Sequence, residues 1–386
     1  MTQARNLLDG IMTFILILPL ILIAVLVLEK LWHKSRIGRI PLRVSVNGTR
    51  GKSSVTEYIV AGLSAAGKRP LGKITGTEPL LLMPGGERQS IKRRGNPRIQ
   101  EQMKVVYLAA KEGVDTLVAE CMAVTPEYQK IDARIICPQV YVITNILDDH
   151  REQYGGNLEL YAEAICAAIP SNATVVTCEQ THLPQIRQVS KEHNSQVIVP
   201  QIMDNTDLHP DIYRANLEMA LEVCVLAGVD RNVAKEGILV SVKTSNKPAG
   251  KRMKHGVRLI NGLAVNDTSS AEKFLQRRQA EHEHSIILLH TRNDRPLRTI
   301  QFSEWIASLS DIDKILLSGS HTFVARRKLQ KMGVKGEKII EFDPFLPSIL
   351  DGFFIKDATI YGFGNTGDGG VAMWNNLERV FETQQA

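Results

Sequence analysis

The chain of 386 residues is 44% hydrophobic, enough apolar material for two compact domains plus an appendage, which excludes a globally disordered protein. Its net charge of +6 is modest and gathers partly beside an N-terminal apolar segment and in residues 88–98, and no DNA- or RNA-binding motif accompanies it, so no nucleic-acid partner is expected. Five cysteines (Cys121, Cys137, Cys166, Cys178, Cys224) lie scattered without C-x-x-C pairing, which argues against a zinc cluster or disulfide framework and for reduced thiols.

Residues Gly10 to Leu28 carry no charge and are dominated by Ile and Leu, and about 19 such residues can span a bilayer as one helix. A cleaved signal peptide is the alternative, but no small-x-small site precedes Glu29. Lys30, Lys34, Arg36, Arg39 and Arg43 follow the apolar run closely, whereas Arg5 alone precedes it. The positive-inside rule therefore predicts a single-pass anchor in the cell membrane, with the bulk of the chain cytoplasmic. The expected organisation is an anchor and basic juxtamembrane segment over 1–40, an α/β nucleotide-binding domain over 41–245 and a smaller C-terminal α/β domain over 246–386.

Val44 to Ser54 (VSVNGTRGKSS) follows a short strand and opens a helix, the context of a phosphate-binding loop. Gly48 and Gly51 let backbone N–H groups approach phosphate oxygens, Lys52 reaches the terminal phosphates, and the Ser53 hydroxyl suits a magnesium ion. Thr49, Arg50 and Ser54 complete the loop, and ATP is the expected ligand. Val55, Tyr58, Ile59, Gly62, Leu63 and Ala66 give the following helix one apolar face, with Gly67 as its cap. Residues 87–104 carry Arg88, Lys92, Arg93, Arg94, Arg98 and Lys104 against Glu87 and Glu101. That surplus suits an acidic substrate, for which Arg93, Arg94 and Arg98 are candidate contacts; a solvated basic face or one against anionic lipid is the open alternative. Thr75-Gly76-Thr77 precedes this loop and is a further candidate near the site.

Ile99, Met103, Val106 and Ala110 mark a helix, Thr116 to Ala119 reads as a buried strand ending at Glu120, and Val140 to Thr144 as another ending at Asn145. Ligands of open α/β sheets bind at the carboxyl ends of strands, so Glu120, Asn145 and the loop at Gly48 are expected to converge. Strands are further predicted at 173–177 and 197–199, a helix from Leu217 stops at Gly228, and a basic stretch over 241–256 reads as an interdomain connection. Strands near 257–265, 285–290, 314–318 and 358–362 then build a second α/β unit. Gly362 to Gly367 satisfies G-x-G-x-x-G, but the short remainder of the chain has no room for the strand carrying a ribose-binding acid, so a dinucleotide site is rejected; an anion-binding nest and a plain tight turn both stay open.

Gly48-Thr49-Arg50-Gly51-Lys52-Ser53 lacks the glycine that the longer G-x-x-x-x-G-K-[ST] spacing would need at Val46, and resembles the G-T-x-G-K-[ST] loop of the Mur ligase superfamily of ATP-dependent amide ligases. Thr144, Asn145, Asp149 and His150 match that family's T-N-x-x-x-D-H-x-D motif, with Glu152 in place of the second aspartate. Glu120 occupies the place of the magnesium-binding glutamate of E-x-S-S, without the serines. The resemblance implies an α/β fold with a P-loop Mur-ligase-like central domain built on a mainly parallel sheet, ATP and Mg2+ as cofactors, a metal site of Ser53, Glu120 and His150, and catalytic roles for Lys52, Glu120 and His150. It makes Tyr161, eleven residues after His150, a substrate-site candidate, while Ile165 stands where relatives carry a carbamate-forming lysine. Asn216 matches one asparagine of an adenine-contacting motif whose first position is Tyr213 here, and Asn266-Asp267-Thr268 resembles a ribose-binding N-D-S, although an ordinary turn would use the same residues.

A membrane helix standing where murein ligases carry a uridine-nucleotide domain makes the arrangement similar to the ligase subunit of bacterial poly-γ-glutamate capsule synthases. That similarity implies glutamate and a poly-γ-glutamate chain as substrates, elongation through an acyl phosphate, and other membrane subunits as partners; homo-oligomer formation stays open. The alternative from another class is a membrane-anchored P-loop ATPase that powers export or assembly without forming an amide bond.

Overall fold

The computed structural model describes residues 2–75, 79–93, 98–147, 154, 157–203, 213–245, 251–252, 256–263, 265, 267–278, 284–341 and 358–382. Two units make up the chain, Met1–Val242 and Lys243–Ala386.

The first unit begins with helix α1 (Thr2–Gly38) and continues through β1 (Leu42–Asn47), α2 (Lys52–Ala65), β2 (Pro70–Ile74), β3 (Leu80–Leu82), β4 (Arg88–Ser90), α3 (Gln100–Glu112), β5 (Thr116–Glu120), α4 (Pro126–Ile136) and β6 (Val140–Ile143). It closes with α5 (Leu158–Cys166), β7 (Thr174–Thr177), α6 (Leu183–Glu192), β8 (Gln196–Ile198), α7 (Arg214–Leu226) and α8 (Arg231–Ser245). The eight strands form one sheet in the order β4-β3-β2-β5-β1-β6-β7-β8, parallel except for the antiparallel β2-β3-β4 meander. The β5 and β6 runs are apolar at consecutive positions because both faces of a parallel sheet are covered by helices, whereas β1 (LRVSVN) alternates yet is buried from Val44 to Asn47. Val44, Val46, Val118, Val140 and Val142 join Ile59 and Leu63 of α2 and Leu217 and Leu221 of α7 in one core cluster. On the opposite face Leu117 and Ala119 pack with Val105 and Val106 of α3 and Ile136 of α4, and Tyr141 and Ile143 pack with Ile165 of α5. Gly62 sets the approach of α7 to α2, since a Cβ there would lie 2.8 Å from Cys224 Sγ.

The second unit contains β9 (Lys251–Arg252), β10 (Arg258–Asn261), α9 (Thr268–Arg278), β11 (His284–Thr291), α10 (Pro296–Ser308), β12 (Lys314–Gly319), α11 (Thr322–Lys331), β13 (Ile339–Glu341), β14 (Ala358–Phe363) and α12 (Gly370–Glu382). Its sheet runs β13-β12-β11-β14-β10-β9, parallel apart from β9, with Ile287, Leu289, Phe302 and Trp305 on one face and Leu288, Trp374 and Leu377 on the other.

The boundary between the two units falls within the basic stretch over 241–256, where α8 continues through Ser245 and Lys251 and Arg252 pair antiparallel with Leu259 and Arg258. One expectation is corrected. The transmembrane helix is not supported, because among the described residues no helix is long and apolar enough to cross a membrane. In α1 the described uncharged side chains run without interruption only from Ile17 to Leu28, where Glu29 and Lys30 end them, and a span needs about 20 apolar residues. These side chains are nonetheless exposed, and Trp32 continues the exposed apolar set beyond the charges.

Ile59, fully buried between α2 and the sheet, tests this packing. Ile59→Ala is expected to destabilise the first unit by about 2–5 kcal/mol through lost transfer energy and a residual cavity, read from the urea midpoint of its unfolding.

Candidate active site

In a parallel sheet all carboxyl ends lie at one edge, and β1 sits there between β5 and β6. The register pairs Val46 with Glu120 and Asn47 with Ile143, so the loop after β1, the last residue of β5 and the loop after β6 are brought side by side.

The loop after β1 turns at two glycines with positive φ, Gly48 at 121° and Gly51 at 83°. A side chain at Gly48 would collide with the Thr144 hydroxyl, and one at Gly51 would place its Cβ 2.6 Å from Asn216 Nδ2. The Gly48 N–H is held by Asn47 Oδ1 at 2.7 Å, and Asn47 Nδ2 is itself fixed by Gln129 and Tyr141. Asn145 braces the next two residues: its carbonyl accepts from Thr49 N–H at 2.9 Å, its Oδ1 accepts from Arg50 N–H at 2.9 Å, and its Nδ2 donates to the Arg50 carbonyl at 3.1 Å. Thr49 Oγ1 accepts from Leu147 N–H at 2.9 Å. Asn145 therefore shapes the loop rather than reaching outward, and the N–H groups of Gly48, Thr49 and Arg50 are already engaged. The first turn of α2, Lys52, Ser53 and Ser54, carries N–H groups with no intrahelical acceptor, the kind of donor an anion uses at a helix N-terminus.

Lys52 Nζ lies over the loop and donates to the carbonyls of Gly48 at 2.6 Å and Thr49 at 3.1 Å. Ser53 Oγ donates to Glu120 Oε2 at 3.0 Å, and the same carboxylate oxygen accepts from Thr75 N–H at 2.9 Å. Glu120 is only 3% exposed. A hydroxyl and a buried carboxylate at the head of a phosphate-binding helix are the donor set a hard divalent cation uses when phosphate oxygens and waters fill its other positions, so a magnesium-like ion fits here. Among the described residues no group of three or more His, Cys, Asp or Glu gathers for a metal, and Asp149 and His150 lie outside them. Asn216, buried on α7 against Gly51, leaves Oδ1 without a hydrogen bond, a feature that suits a bound nucleotide.

The other candidates divide. His150 and Asp149, like Arg94, Gly76, Thr77 and Asn266, lie outside the described residues. Arg93 is not a loose cation for substrate: Nε and Nη2 grip the Glu101 carboxylate at 2.8 and 2.9 Å. Arg98 is exposed. Tyr161 is buried in the α5 core, its ring 5.1 Å from that of Tyr154, and is not an exposed side chain. Asp267 belongs to the second unit, where Oδ1 accepts from Ser270 N–H at 2.8 Å and caps α9. Ile165 is fully buried among apolar side chains.

Four further residues support the site and carry no local signal. Glu179, buried after β7, accepts from Ile146 N–H at 2.8 Å and so fixes the loop that carries Asn145. Lys73, Gln102 and Asp132 lie buried behind Glu120. Burial pushes the Asp132 carboxyl up to about 6, against the Gln102 hydrogen bond, the Lys73 charge and the Cys121 thiol, which pull it down. Burial also lowers the Lys73 ammonium and pushes the Cys121 thiol well up.

Residues 46–231 match the Mur ligase middle domain, and residues 247–380 match the poly-gamma-glutamate synthase CapB C-terminal domain. The capsule biosynthesis protein CapB of Bacillus anthracis is 32% identical over 360 residues, covering 87% of this chain and 76% of that protein. The PGA synthase CapB of Bacillus subtilis is 29% identical over 377 residues, covering 92% and 94%. Among solved structures, E. coli FolC in complex with ADP aligns with a TM-score of 0.67 at 16% identity over 90% of this chain and 92% of that one. The folylpolyglutamate synthase/dihydrofolate synthase of Yersinia pestis complexed with AMPPNP and Mn aligns with a TM-score of 0.67 at 16% identity over 89% and 91%. The two structural likenesses establish a shared fold.

Gly51→Ala is expected to cost about 1–3 kcal/mol from the left-handed φ alone and to weaken ADP binding through the displaced Asn216, both measurable by calorimetry. Asp132 gives a pH signature. Its folded value of about 6 lies above the unfolded 3.8, so between these values the folded chain keeps a proton that the unfolded chain releases. The stability it contributes is full below about pH 4 and declines as pH rises to about 6. Asp132→Asn should flatten that decline in denaturant titrations at pH 4.5 and 7.

Proposed function

The chain belongs to the CapB family of poly-γ-glutamate synthases, and from that premise we propose how its P-loop unit serves the family's reaction. The protein is an ATP-dependent, ADP-forming amide ligase that makes poly-γ-glutamate. Carboxylates are poor electrophiles, so a glutamate carboxylate oxygen attacks the γ-phosphorus of ATP, the bond to the β-phosphate oxygen breaks, and ADP leaves. The amino group of a second glutamate then attacks the acyl carbon of this acyl phosphate, inorganic phosphate departs with the bonding electrons, and loss of a proton leaves the amide.

The observation that carries this reading is the Ser53–Glu120 pair, 3.0 Å apart where β1, β5 and α2 meet. The first-turn N–H groups of α2 orient the triphosphate, and Lys52 exchanges the Gly48 and Thr49 carbonyls for phosphate oxygens, offsetting charge as the γ-phosphoryl group transfers. Asn145 and Glu179 keep the loops in register, and Asn216 offers its unsatisfied oxygen to the nucleotide. We take the ion to be magnesium, with Ser53 and Glu120 as ligands and His150 as a third; when bound it neutralises phosphate charge. Arg98 and the neighbouring exposed Lys92 suit retention of the polyanionic product. An export ATPase would use the same loop, but the match of 247–380 to a synthase domain favours the ligase.

Attachment to the cell membrane through α1 is part of the proposal, supported by the exposed apolar side chains from Ile17 to Leu28 and the basic residues that follow. On this reading the two units are cytoplasmic, and other membrane subunits complete the synthase.

The test is polymer formation by membranes containing the protein and its neighbouring subunits, with ATP, magnesium and labelled glutamate. Wild type should yield γ-linked polymer, while folded Lys52→Ala should lose about 100-fold or more, the scale of removing a principal charge stabiliser. Glutamate-independent ATP hydrolysis without polymer would overturn the ligase reading.

A further inference from the structure

A lysine with no exposed surface is costly to bury, and Lys73 of β2 is 0% exposed. Its Nζ donates to Gln102 Oε1 at 2.9 Å and lies 3.6 Å from the Glu101 carboxylate. Gln102 of α3, also 0% exposed, donates through Nε2 to Asp132 Oδ1 at 2.7 Å and to the backbone carbonyl of Glu120 at 3.2 Å. Asp132 of α4 is 1% exposed. Four elements, β2, α3, α4 and β5, thus meet in one buried hydrogen-bonded chain that ends on the residue presenting its carboxylate to Ser53.

The donor and acceptor inventory fixes its direction. An ammonium can only donate, so Lys73 pulls Oε1 of Gln102 toward itself, and the carboxylate of Asp132 takes an amide hydrogen. The other amide hydrogen is then aimed at the Glu120 carbonyl. Glu120 lies one residue past the last β2 partner in the ladder, Lys73 opposite Ala119, and Gln102 supplies the donor there. The grip is double: two residues beyond Lys73, the Thr75 N–H binds the Glu120 carboxylate itself. The network therefore holds both strand ends that set the carboxylate's aim.

We propose that Lys73, Gln102 and Asp132 are positioning residues for Glu120 and set the protein's affinity for the nucleotide-bound divalent cation. This rests on the reading of Ser53 and Glu120 as a metal site. Packing alone does not call for such a network, since apolar side chains of similar volume replace buried polar groups at little cost. Those side chains could not hold the Glu120 carbonyl.

The experiment measures Mn2+ binding in the presence of ADP by electron paramagnetic resonance, together with the thermal midpoint of each full-length variant. Gln102→Met should weaken Mn2+ binding about 10-fold or more, the usual consequence of losing a support behind a metal ligand, while KM for glutamate stays near wild type. Asp132→Leu should do the same, whereas Asp132→Asn, whose amide oxygen still accepts from Gln102, should bind Mn2+ like wild type. The Leu variant carries the test if Gln102→Met does not fold. Wild-type Mn2+ affinity in a folded Gln102→Met or Asp132→Leu protein, whatever its midpoint, would overturn the proposal. Glu120→Gln separates the two readings: unchanged Mn2+ binding there removes the metal site itself, whereas lost binding there with intact binding in Gln102→Met removes only the positioning role.

Discussion

A parallel strand can present its carboxyl end at only one edge of a sheet, and the central place of β1 between β5 and β6 turns that restriction into a site. Residues 47, 120 and 144 are remote in sequence, yet register alone makes them neighbours. Loops carry most of the chemistry because the strands beneath are sealed on both faces by helices and cannot be exposed without unfolding the core. Two asparagines convert these loops into a fixed surface: Asn47 ties the start of the P-loop to β6 through Tyr141, and Asn145 closes the other side with three hydrogen bonds. A loop held this way loses little further entropy on receiving a ligand.

The site is also a problem in burial. Glu120 sits at the sheet edge with almost no exposure, and a buried carboxylate needs donors or a cation to offset its desolvation. Ser53 and Thr75 supply donors to one oxygen, so the arrangement has a definite direction even before a cation adds its charge. Behind it, Lys73 and Asp132 carry opposite formal charges on either side of a neutral amide, which limits their mutual attraction but locks the amide's orientation. A half-satisfied buried network costs more than an apolar core, so its members act as a set.

Contiguous chemistry was legible in the sequence. The P-loop needs two glycines, a lysine and a serine within six residues, and the strands at 116–120 and 140–143 announce themselves as short apolar runs that lead into a polar side chain, Glu120 and Thr144. Strand β2 was hidden because Pro70, Gly72 and Lys73 all speak against a buried strand; Gly72 is there since a Cβ would crowd Val60 and Leu82. Gln102, Asp132 and Glu179 look like surface residues, and only their partners, 18 to 33 positions away, make them otherwise. Counting cations over residues 87–104 misjudged Arg93 for the same reason: a charge's partner decides its role, and Glu101 is that partner.

Ile165 bears on how many cations such a site can hold. A carbamate on a lysine at this place would bring a negative charge for a second ion, but the position is packed against Tyr141, Ile143, Ile146 and Ile186, with no exposed surface. The cluster around it is largely hydrocarbon, and of its tyrosines the Tyr141 hydroxyl is engaged by Asn47 and the Tyr154 hydroxyl donates to the Val124 carbonyl at 2.6 Å. An anion would pay the full cost of desolvation there. The apolar character of α5 thus goes with an isoleucine and not with a charged ligand. Position 165 therefore supplies no ligand to a second cation, in contrast to the carboxyl edge of the sheet, where Glu120 stands.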